Sequence, residues 1–178
     1  CACALVFAAG LWPAAYPLGQ SSAIFNRRCF VRLHLSPADR SDATQISAIL
    51  EEWYLANSWI PAVHDLVERE DYGRILLDHT QVTMLHWQGQ CVGFLALESD
   101  IVQSLYIRSE FQRRGFGRAA MRYAQSQCDQ LWLWVFQSDR RAQSFYRSLG
   151  FQEVETSDGR DNDYNLPDVT LCWRQAHG

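Results

Sequence analysis

The sequence predicts a single α/β domain built around a largely antiparallel sheet. Hydrophobic residues make up 48% of the 178 residues, which is enough for one sizeable core. Three strand-like runs follow one another between residues 80 and 108. The overall order of elements is β-α-α-β-β-β-α-β-α-β-β. This order predicts an antiparallel meander in the first half and an alternation of strands and helices in the second, as in α/β and α+β folds.

The elements of the first half each have a local pattern. Alternating side chains predict a strand over residues 30–36. Asp42 followed by Gln45 resembles a capping box, and the helical spacing after it predicts a helix that ends near Asn57. A second, weaker helix is predicted over residues 62–77, and the three strands of the meander follow it.

The second half alternates between helices and strands. A strand is predicted over residues 131–136, preceded by a helix that begins near Gly117. The next helix has apolar side chains at i, i+3, i+4 and i+7 and ends at Gly150. Two closing strands are predicted on either side of a polar loop over residues 157–168.

Composition narrows the classes of partner. The formal net charge of −4 gives no overall basic field, so we expect neither a nucleic-acid nor a membrane partner. All sixteen basic residues are arginine, which excludes a P-loop lysine and a Schiff-base lysine. The six cysteines show no C-x-x-C spacing. We therefore expect reduced thiols in a cytoplasmic protein, with no metal site.

The first 29 residues differ in composition from the rest, because no charged residue precedes Arg27. Such a stretch raises a membrane segment or a signal-peptide core as candidates. Pro13 and Pro17 interrupt it, and it has no basic start. We expect a poorly ordered extension over residues 1–29, with a targeting segment or a misassigned start as alternatives. The folded domain is predicted over residues 30–176.

A glycine turn, which we define as residues 112–118, joins the last strand of the meander to the next helix. Gly115 and Gly117 let a ligand approach the backbone, and the N–H groups at a helix N-terminus attract anions. The arginines of the turn add a local cationic rim. The turn therefore predicts a phosphate site, with a simple packing turn as the alternative.

The glycine turn also fits G-x-G-x-x-A, the dinucleotide-binding pattern, with Asp139 about twenty residues further on. In that fold the glycines follow the strand almost directly and lie near the start of repeated βαβ units. Here five residues separate Ile107 from the turn's basic pair, and one clear βαβ unit is present. An NAD(P)-binding oxidoreductase is therefore disfavoured.

Two motifs together resemble the GNAT superfamily of acetyl-CoA-dependent N-acyltransferases. Residues 112–117 fit the family's Q/R-x-x-G-x-G/A phosphate loop, and residues 142–151 fit its A-x-x-F-Y-x-x-x-G-F helix. The order of elements over residues 30–175 agrees as well. The resemblance implies a central, mixed, mainly antiparallel sheet of six to seven strands flanked by four helices. In that sheet the strands around 101–107 and 131–136 splay apart to form the CoA cleft.

The same resemblance implies where acetyl-CoA binds. Its pyrophosphate would lie on the glycine turn, and its pantetheine arm would follow the strand before the turn. Asp139 stands where the family usually has asparagine, and a helix N-cap is its alternative role. The residues assigned to acetyl-CoA in this way are Leu105, Tyr106, Ile107, Gln112, Arg113, Arg114, Gly115, Phe116, Gly117, Arg118, Asp139 and Tyr146.

Transfer of an acetyl group from a thioester to an amine needs a base, an oxyanion donor and a proton for the thiolate. Tyr146 matches the family's motif tyrosine and is our candidate proton donor, with a role in core packing as the alternative. The glutamate usual on the fourth strand is missing, because Ile101 stands at its position. Asp100 is the candidate base. A water chain or an amine that arrives neutral are the alternatives.

The acceptor pocket is predicted from the segment between the first two helices and from the polar loop. Trp59 and His64 lie where the family borders its acceptor, although packing is the alternative role for both. Asp163 represents an acidic loop that would attract a cationic amine or serve only solubility. A calcium loop is disfavoured because Leu166 stands where glycine is needed.

The function we predict is transfer of an acetyl group from acetyl-CoA to a primary amine of a small molecule, by direct attack in a ternary complex. A protein N-terminus or side chain is the less favoured acceptor. The missing strand glutamate leaves a non-catalytic acyl-CoA-binding or sensor domain as the alternative. The resemblance allows a homodimer. The sequence identifies neither the acceptor nor the oligomeric state.

Overall fold

A computed structural model of the protein describes residues 33–61 and 66–176. Within them, seven strands form one sheet in the order β1-β2-β3-β4-β5-β7-β6, and four helices flank it. The strands are His34–Pro37 (β1), Gln81–Trp87 (β2), Gln90–Glu98 (β3), Ile101–Ile107 (β4), Gln130–Phe136 (β5), Gln152–Ser157 (β6) and Asp168–Arg174 (β7). The helices are Ala43–Ala56 (α1), Leu66–His79 (α2), Phe116–Gln127 (α3) and Arg140–Arg147 (α4). The predicted fold class is confirmed.

The sheet is antiparallel except between β4 and β5. The predicted meander is formed by β2, β3 and β4. Its two tight turns place Gln88, Gly89 and Ser99 in the left-handed region, with φ of 51°, 79° and 53°. Such backbone is usual in the turns of twisted hairpins.

The helices cover both faces of the sheet. On one face α1 and α2 enclose a core cluster that includes Ile46, Phe94 and Tyr106. On the other face α3 and α4 enclose a cluster that includes Leu105 and Met121. The protein is thus a three-layer sandwich, and each face of the sheet is buried by the apolar side of two helices.

The start of α1 differs from the prediction. The capping box is formed by Asp39 and Asp42, around a short 3-10 turn, Arg40–Asp42, that precedes the helix. An oxygen of Asp39 accepts from the Ser41 N–H at 2.7 Å, and an oxygen of Asp42 accepts from the Asp39 N–H at 2.9 Å. The predicted Asp42–Gln45 box is wrong, because the Asp42 carboxylate is engaged by the preceding turn.

The crossing of α1 and α2 depends on Gly73. The Gly73 N–H donates to the Ser47 hydroxyl at 2.9 Å. A Cβ added at Gly73 would lie 2.0 Å from the Ala43 carbonyl oxygen, so only glycine allows this approach. The two helices form one packed unit against the sheet.

Several predictions fall partly or wholly outside the described residues, among them the start of the strand predicted over residues 30–36. The extension predicted over residues 1–29 lies outside them, as do the first residues of the helix predicted over 62–77. In the part of the chain that the structure describes, no helix has the length and apolar character needed to cross a membrane.

Candidate functional site

The sheet opens between β4 and β5. Their parallel ladder contains one pair, Ile101 opposite Trp132, and the Trp132 N–H donates to the Asp100 carbonyl oxygen at 2.8 Å. Beyond that pair β4 stays bonded to β3 and β5 stays bonded to β7. The facing edges of β4 and β5 therefore separate toward their carboxyl ends, as predicted for the cofactor cleft.

A β-bulge lies on β4 where the strands part. Ala96 pairs with Ser104 but Leu97 pairs with Val102, which leaves Gln103 as the extra residue. The side-chain amide of Gln103 donates to Glu98 at 2.6 Å. A bulge bends its strand and increases the local twist. Because of it, Val102 reaches the same core cluster as Leu105, although the two are an odd number of residues apart.

The glycine turn forms a cradle of backbone N–H groups. Arg113 and Gly115 both have left-handed backbone, with φ of 62° and 89°. The Ala119 N–H donates to the Gly115 carbonyl oxygen at 3.0 Å, whereas the N–H groups of residues 113–118 donate to no other described residue. A Cβ at Gly115 would meet nothing within 4 Å, so the turn is open above this residue. Such a concave set of N–H groups at a helix N-terminus fits a phosphate.

The end of β4 supports this cradle. The Gln112 side-chain amide donates to the Ile107 carbonyl oxygen at 3.0 Å, which fixes the turn to the strand. The side chains of Leu105, Tyr106 and Ile107 are buried. The groups of these three residues that can face the cleft are therefore backbone groups rather than side chains. The ring of Phe116, also predicted, is buried beneath the turn.

The arginines of the turn do not play equal parts. The Arg118 guanidinium donates to the hydroxyl and the carbonyl oxygen of Ser148, at 2.9 and 3.4 Å. Its side chain therefore joins α3 to the end of α4. The side chains of Arg113 and Arg114 are exposed, and neither forms an ion pair with another described residue. These two form the cationic rim.

In the structure, Asp139 is a helix N-cap and Tyr146 packs in the core, which are the alternative roles stated for them from the sequence. An oxygen of Asp139 accepts from the Ala142 N–H at 2.8 Å, which makes it the N-cap of α4. Tyr146 is fully buried between α4 and the sheet, and its ring packs edge-on against Phe145 and Phe151, with centroids 5.1 and 5.5 Å away. The Tyr146 ring is thus part of the core.

Asp100 lies at the closed end of the cleft. Its carboxylate accepts from the Gln130 side-chain amide at 2.7 Å, beside the Ile101–Trp132 pair. Ile107, the last residue of β4 before the segment that leads to the glycine turn, is about 20 Å further along the strand at the usual rise. The structure does not bring Asp100 to the open end of the cleft.

Three aromatic residues, which we call the aromatic wall, border the open end of β5: Trp59, Phe136 and Tyr164. Trp59 is 41% exposed and packs edge-on against Phe136, with centroids 5.7 Å apart. Phe136 ends β5 and packs edge-on against Tyr164, 5.5 Å away. Sequence reasoning found Trp59 but missed the other two. An aromatic at a strand end and an aromatic within an acidic loop were the available signals.

The polar loop between β6 and β7 has an anchored base. Asp168 is buried and accepts from the Ser157 hydroxyl and the Asn162 amide, each at 2.8 Å. Asp163, the predicted acceptor residue, is exposed next to the aromatic wall in sequence, and His64 lies outside the described residues. Within the described ranges, no three His, Cys, Asp or Glu side chains gather as a metal site would require.

A carboxylate on α1 holds the segment that leads into the glycine turn. One oxygen of Glu52 accepts from the Ser109 N–H at 2.8 Å, and the other accepts from the Arg108 guanidinium at 3.1 Å. Burial raises the pKa of this carboxyl, but the bonds from Ser109 and Arg108 outweigh it and leave the pKa below its ordinary value. Sequence reasoning missed Glu52, because its partners are more than fifty residues away.

A family model described as an acetyltransferase (GNAT) domain matches residues 78–153. Peptidyl-lysine N-acetyltransferase YiaC of Escherichia coli K12 is 26% identical over 139 residues, which cover 73% of this chain and 91% of that protein. Apo-form YjaB from Escherichia coli has a similar structure, with a TM-score of 0.68 and 22% identity over 81% of this chain and 99% of its own. YncA from Salmonella typhimurium, solved with its cofactor acetyl-CoA, has a TM-score of 0.61 and 16% identity, and the match covers 82% of this chain and 95% of its own.

Proposed function

Because a GNAT acetyltransferase family model matches residues 78–153 and the fold is similar to that of solved acetyltransferases, we propose that this chain is a GNAT acetyltransferase that transfers an acetyl group from acetyl-CoA to a primary amine. The observation that carries the proposal is the glycine turn, whose backbone N–H groups from Arg113 to Arg118 donate to no other described residue. The turn lies at the end of the strand that lines the opening between β4 and β5. A long cofactor with a phosphate group and an extended arm suits this arrangement.

Different residues of the chain would bind different parts of the cofactor. The backbone of the glycine turn would hold the pyrophosphate, and the edge of β4 from Leu105 to Ile107 that faces the opening would receive the pantetheine arm. Acetyl-CoA supplies the activated thioester. A backbone N–H of Leu105 or Ile107 would donate to the carbonyl oxygen as negative charge develops on it.

Two side chains are our candidates for the proton transfers, one as the donor to the thiolate and one as the base. Tyr146 remains our proposed donor to the thiolate, a role that requires its hydroxyl to reach the cleft from the core. Asp100 would act as a base only through water, because it lies at the closed end and is bonded to Gln130. An amine that arrives neutral would need no base at all.

The acceptor we propose is a primary amine of a small molecule. The exposed ring of Trp59 offers a face for a cation, and Asp161 and Asp163 are exposed acids on the neighbouring loop. A lysine side chain in a peptide is the second candidate, favoured by the similarity to YiaC. Both present an alkylammonium group to the same wall.

An assay of thiol release from acetyl-CoA tests the proposal with a panel of small primary amines and lysine-containing peptides. We expect turnover with at least one member, and a loss of roughly tenfold in kcat/KM for Trp59→Ala with that amine. Trp173→Leu, which changes a tryptophan on β7, serves as the matched control. Binding of acetyl-CoA without turnover on any amine would favour the non-catalytic acyl-CoA-binding alternative, and absence of binding would exclude both.

A further inference from the structure

The guanidinium of Arg114 lies over two aromatic rings beside the glycine turn. Its central carbon lies 5.7 Å from the Trp87 ring centroid and 5.6 Å from the Phe111 ring centroid. Trp87 ends β2, and Phe111 belongs to a 3-10 turn, Ser109–Phe111, between β4 and the glycine turn. We call these two rings the aromatic shelf. Both distances are within the range of a cation–π contact.

The aromatic shelf is fixed by the core. Phe111 is buried, and Trp87 is half-buried. Both rings pack on the buried ring of Phe116, with centroids 5.7 Å from Trp87 and 6.5 Å from Phe111. A flexible arginine that lies over fixed rings loses part of its freedom before any ligand binds.

The ring contacts hold Arg114 without using its hydrogen-bond donors. The guanidinium carbon lies over both rings, whose planes are 69° apart, so the rings attract the cation by their faces and leave its N–H groups available to a ligand. Among the described residues, Arg114 forms no ion pair and donates no hydrogen bond. In contrast, six other arginines pair with carboxylates: Arg40, Arg69, Arg74, Arg108, Arg147 and Arg160. Uncharged rings position the Arg114 charge and do not neutralise it, which suits an anionic ligand.

We propose that Trp87, on a strand separated from β4 by β3, is a positioning residue for acetyl-CoA. Together with Phe111 it holds the Arg114 guanidinium ready to donate to a phosphate group of the cofactor. The pyrophosphate and the 3′-phosphate of CoA offer the same oxyanions to this group. The inference rests on the proposed function, and it assigns a cofactor role to a residue that contacts no reacting atom.

Calorimetric titration of the full chain with acetyl-CoA tests this inference. We expect Arg114→Gln to weaken binding roughly tenfold and Trp87→Leu roughly threefold to fivefold, as the loss of a charged hydrogen bond and of a cation–π contact would give. Trp87→Phe keeps a ring and should bind within about twofold of the wild type. In the Arg114→Gln background, Trp87→Leu should have no further effect, because Trp87 acts through Arg114.

The same variants separate this role from a structural one. Trp173→Leu, a half-buried tryptophan on β7, should lower the melting temperature and leave the affinity unchanged. Effects of Trp87→Leu and Arg114→Gln that multiply in the double variant, or a Trp87→Phe variant as weak as Trp87→Leu, would overturn the inference. Unchanged affinity in Trp87→Leu would overturn it too.

The wild type and a second ligand complete the test. A wild type that binds no acetyl-CoA would remove the proposed function and this inference together, whereas a binding wild type with unaffected variants removes this inference alone. Titration with 3′-dephospho-CoA identifies the group. If the Arg114→Gln effect persists with that ligand, Arg114 meets the pyrophosphate; if it disappears, Arg114 meets the 3′-phosphate.

Discussion

Gly115 combines two properties that a phosphate site needs in one residue. Its φ of 89° lies in the left-handed region, as does the φ of Arg113 two residues earlier, and the absence of a Cβ keeps the space above the turn open. A larger residue there would strain the turn and occupy the place of the proposed phosphate ligand.

Gly115→Val is therefore expected to weaken acetyl-CoA binding at least tenfold. Gly89→Val is the matched control, because Gly89 also has a positive φ of 79° and nothing within 4 Å of a Cβ, but lies in the β2–β3 turn. Both variants should lose about 1–2 kcal/mol of stability, as for valine forced into left-handed backbone. Titration calorimetry and thermal melts measure the two effects. Equal loss of affinity in both variants would mean that strain, rather than the site, is responsible.

Glu52 holds two residues that are distant in sequence, Arg108 and Ser109, by accepting hydrogen bonds from them. Its folded-state pKa is below the unfolded value, so its contribution to stability is present above about pH 4.3 and is lost as the pH falls through the folded-state pKa. Glu52→Gln should lower the free energy of unfolding at pH 7 by about 1 kcal/mol or less, since the pair is partly exposed.

Urea denaturation at pH 7 and at pH 3 measures this difference, which should shrink at the lower pH. Glu110→Gln is the control, because Glu110 is an exposed and more distant partner of Arg108, at 3.8 Å. A difference between Glu52→Gln and the wild type that stays constant with pH would contradict the assignment.

At the scale of elements, the α1–α2 unit depends on its close crossing at Gly73. Gly73→Ala should improve helix propensity by up to about 1 kcal/mol, yet its methyl group would collide with the backbone of α1. We expect a net destabilisation of about 1–3 kcal/mol, as for overpacked cores. Ile75→Ala, on the exposed side of α2, should change stability by less than about 0.5 kcal/mol. A Gly73→Ala variant as stable as the wild type would show that the helices can separate freely.

Local patterns predicted the elements well because they depend on near neighbours. The N-cap role of Asp139 follows from a contact three residues away, and the meander follows from alternation within each run. The same local rules placed the capping box before α1 wrongly, at Asp42 and Gln45, because the short 3-10 turn that engages Asp42 left no clear sequence pattern.

At the scale of the whole molecule, the sheet consists of two halves, β1–β4 and β5–β7. They are joined in the ladder by the single pair of Ile101 and Trp132. The facing edges beyond that pair lack the ladder bonds that protect backbone N–H groups in a continuous sheet.

Hydrogen exchange should therefore respond to acetyl-CoA along this opening. Peptides that cover β4 and the glycine turn are expected to exchange more slowly when the cofactor is bound, because the bound state protects them. The edge strand β6 should exchange at the same rate in both states. Uniform protection across the sheet, or protection confined to β6, would contradict binding at the opening.

The sequence predicts the sheet and the glycine turn better than it predicts the individual side chains around the cleft. The order of elements predicts the sheet, and a motif at the glycine turn predicts the cradle. Trp87, Glu52 and Phe136 escaped prediction because their roles come from contacts across the fold, between elements that sequence spacing cannot relate. Tyr146 shows the converse, since its motif position gives no sign of how deeply its ring is buried.

The anchored base of the β6–β7 loop makes this segment suitable for redesign. Gly159 is fixed by contact with the Leu166 backbone, 2.3 Å from where a Cβ would lie, and Asn162 and Asp168 are fixed by their hydrogen bonds. Asp161 and Asp163 between these fixed points are exposed. A library randomised at these two positions would vary the charge presented beside the aromatic wall while each clone keeps the same scaffold, so new acceptors can be selected without rebuilding the enzyme.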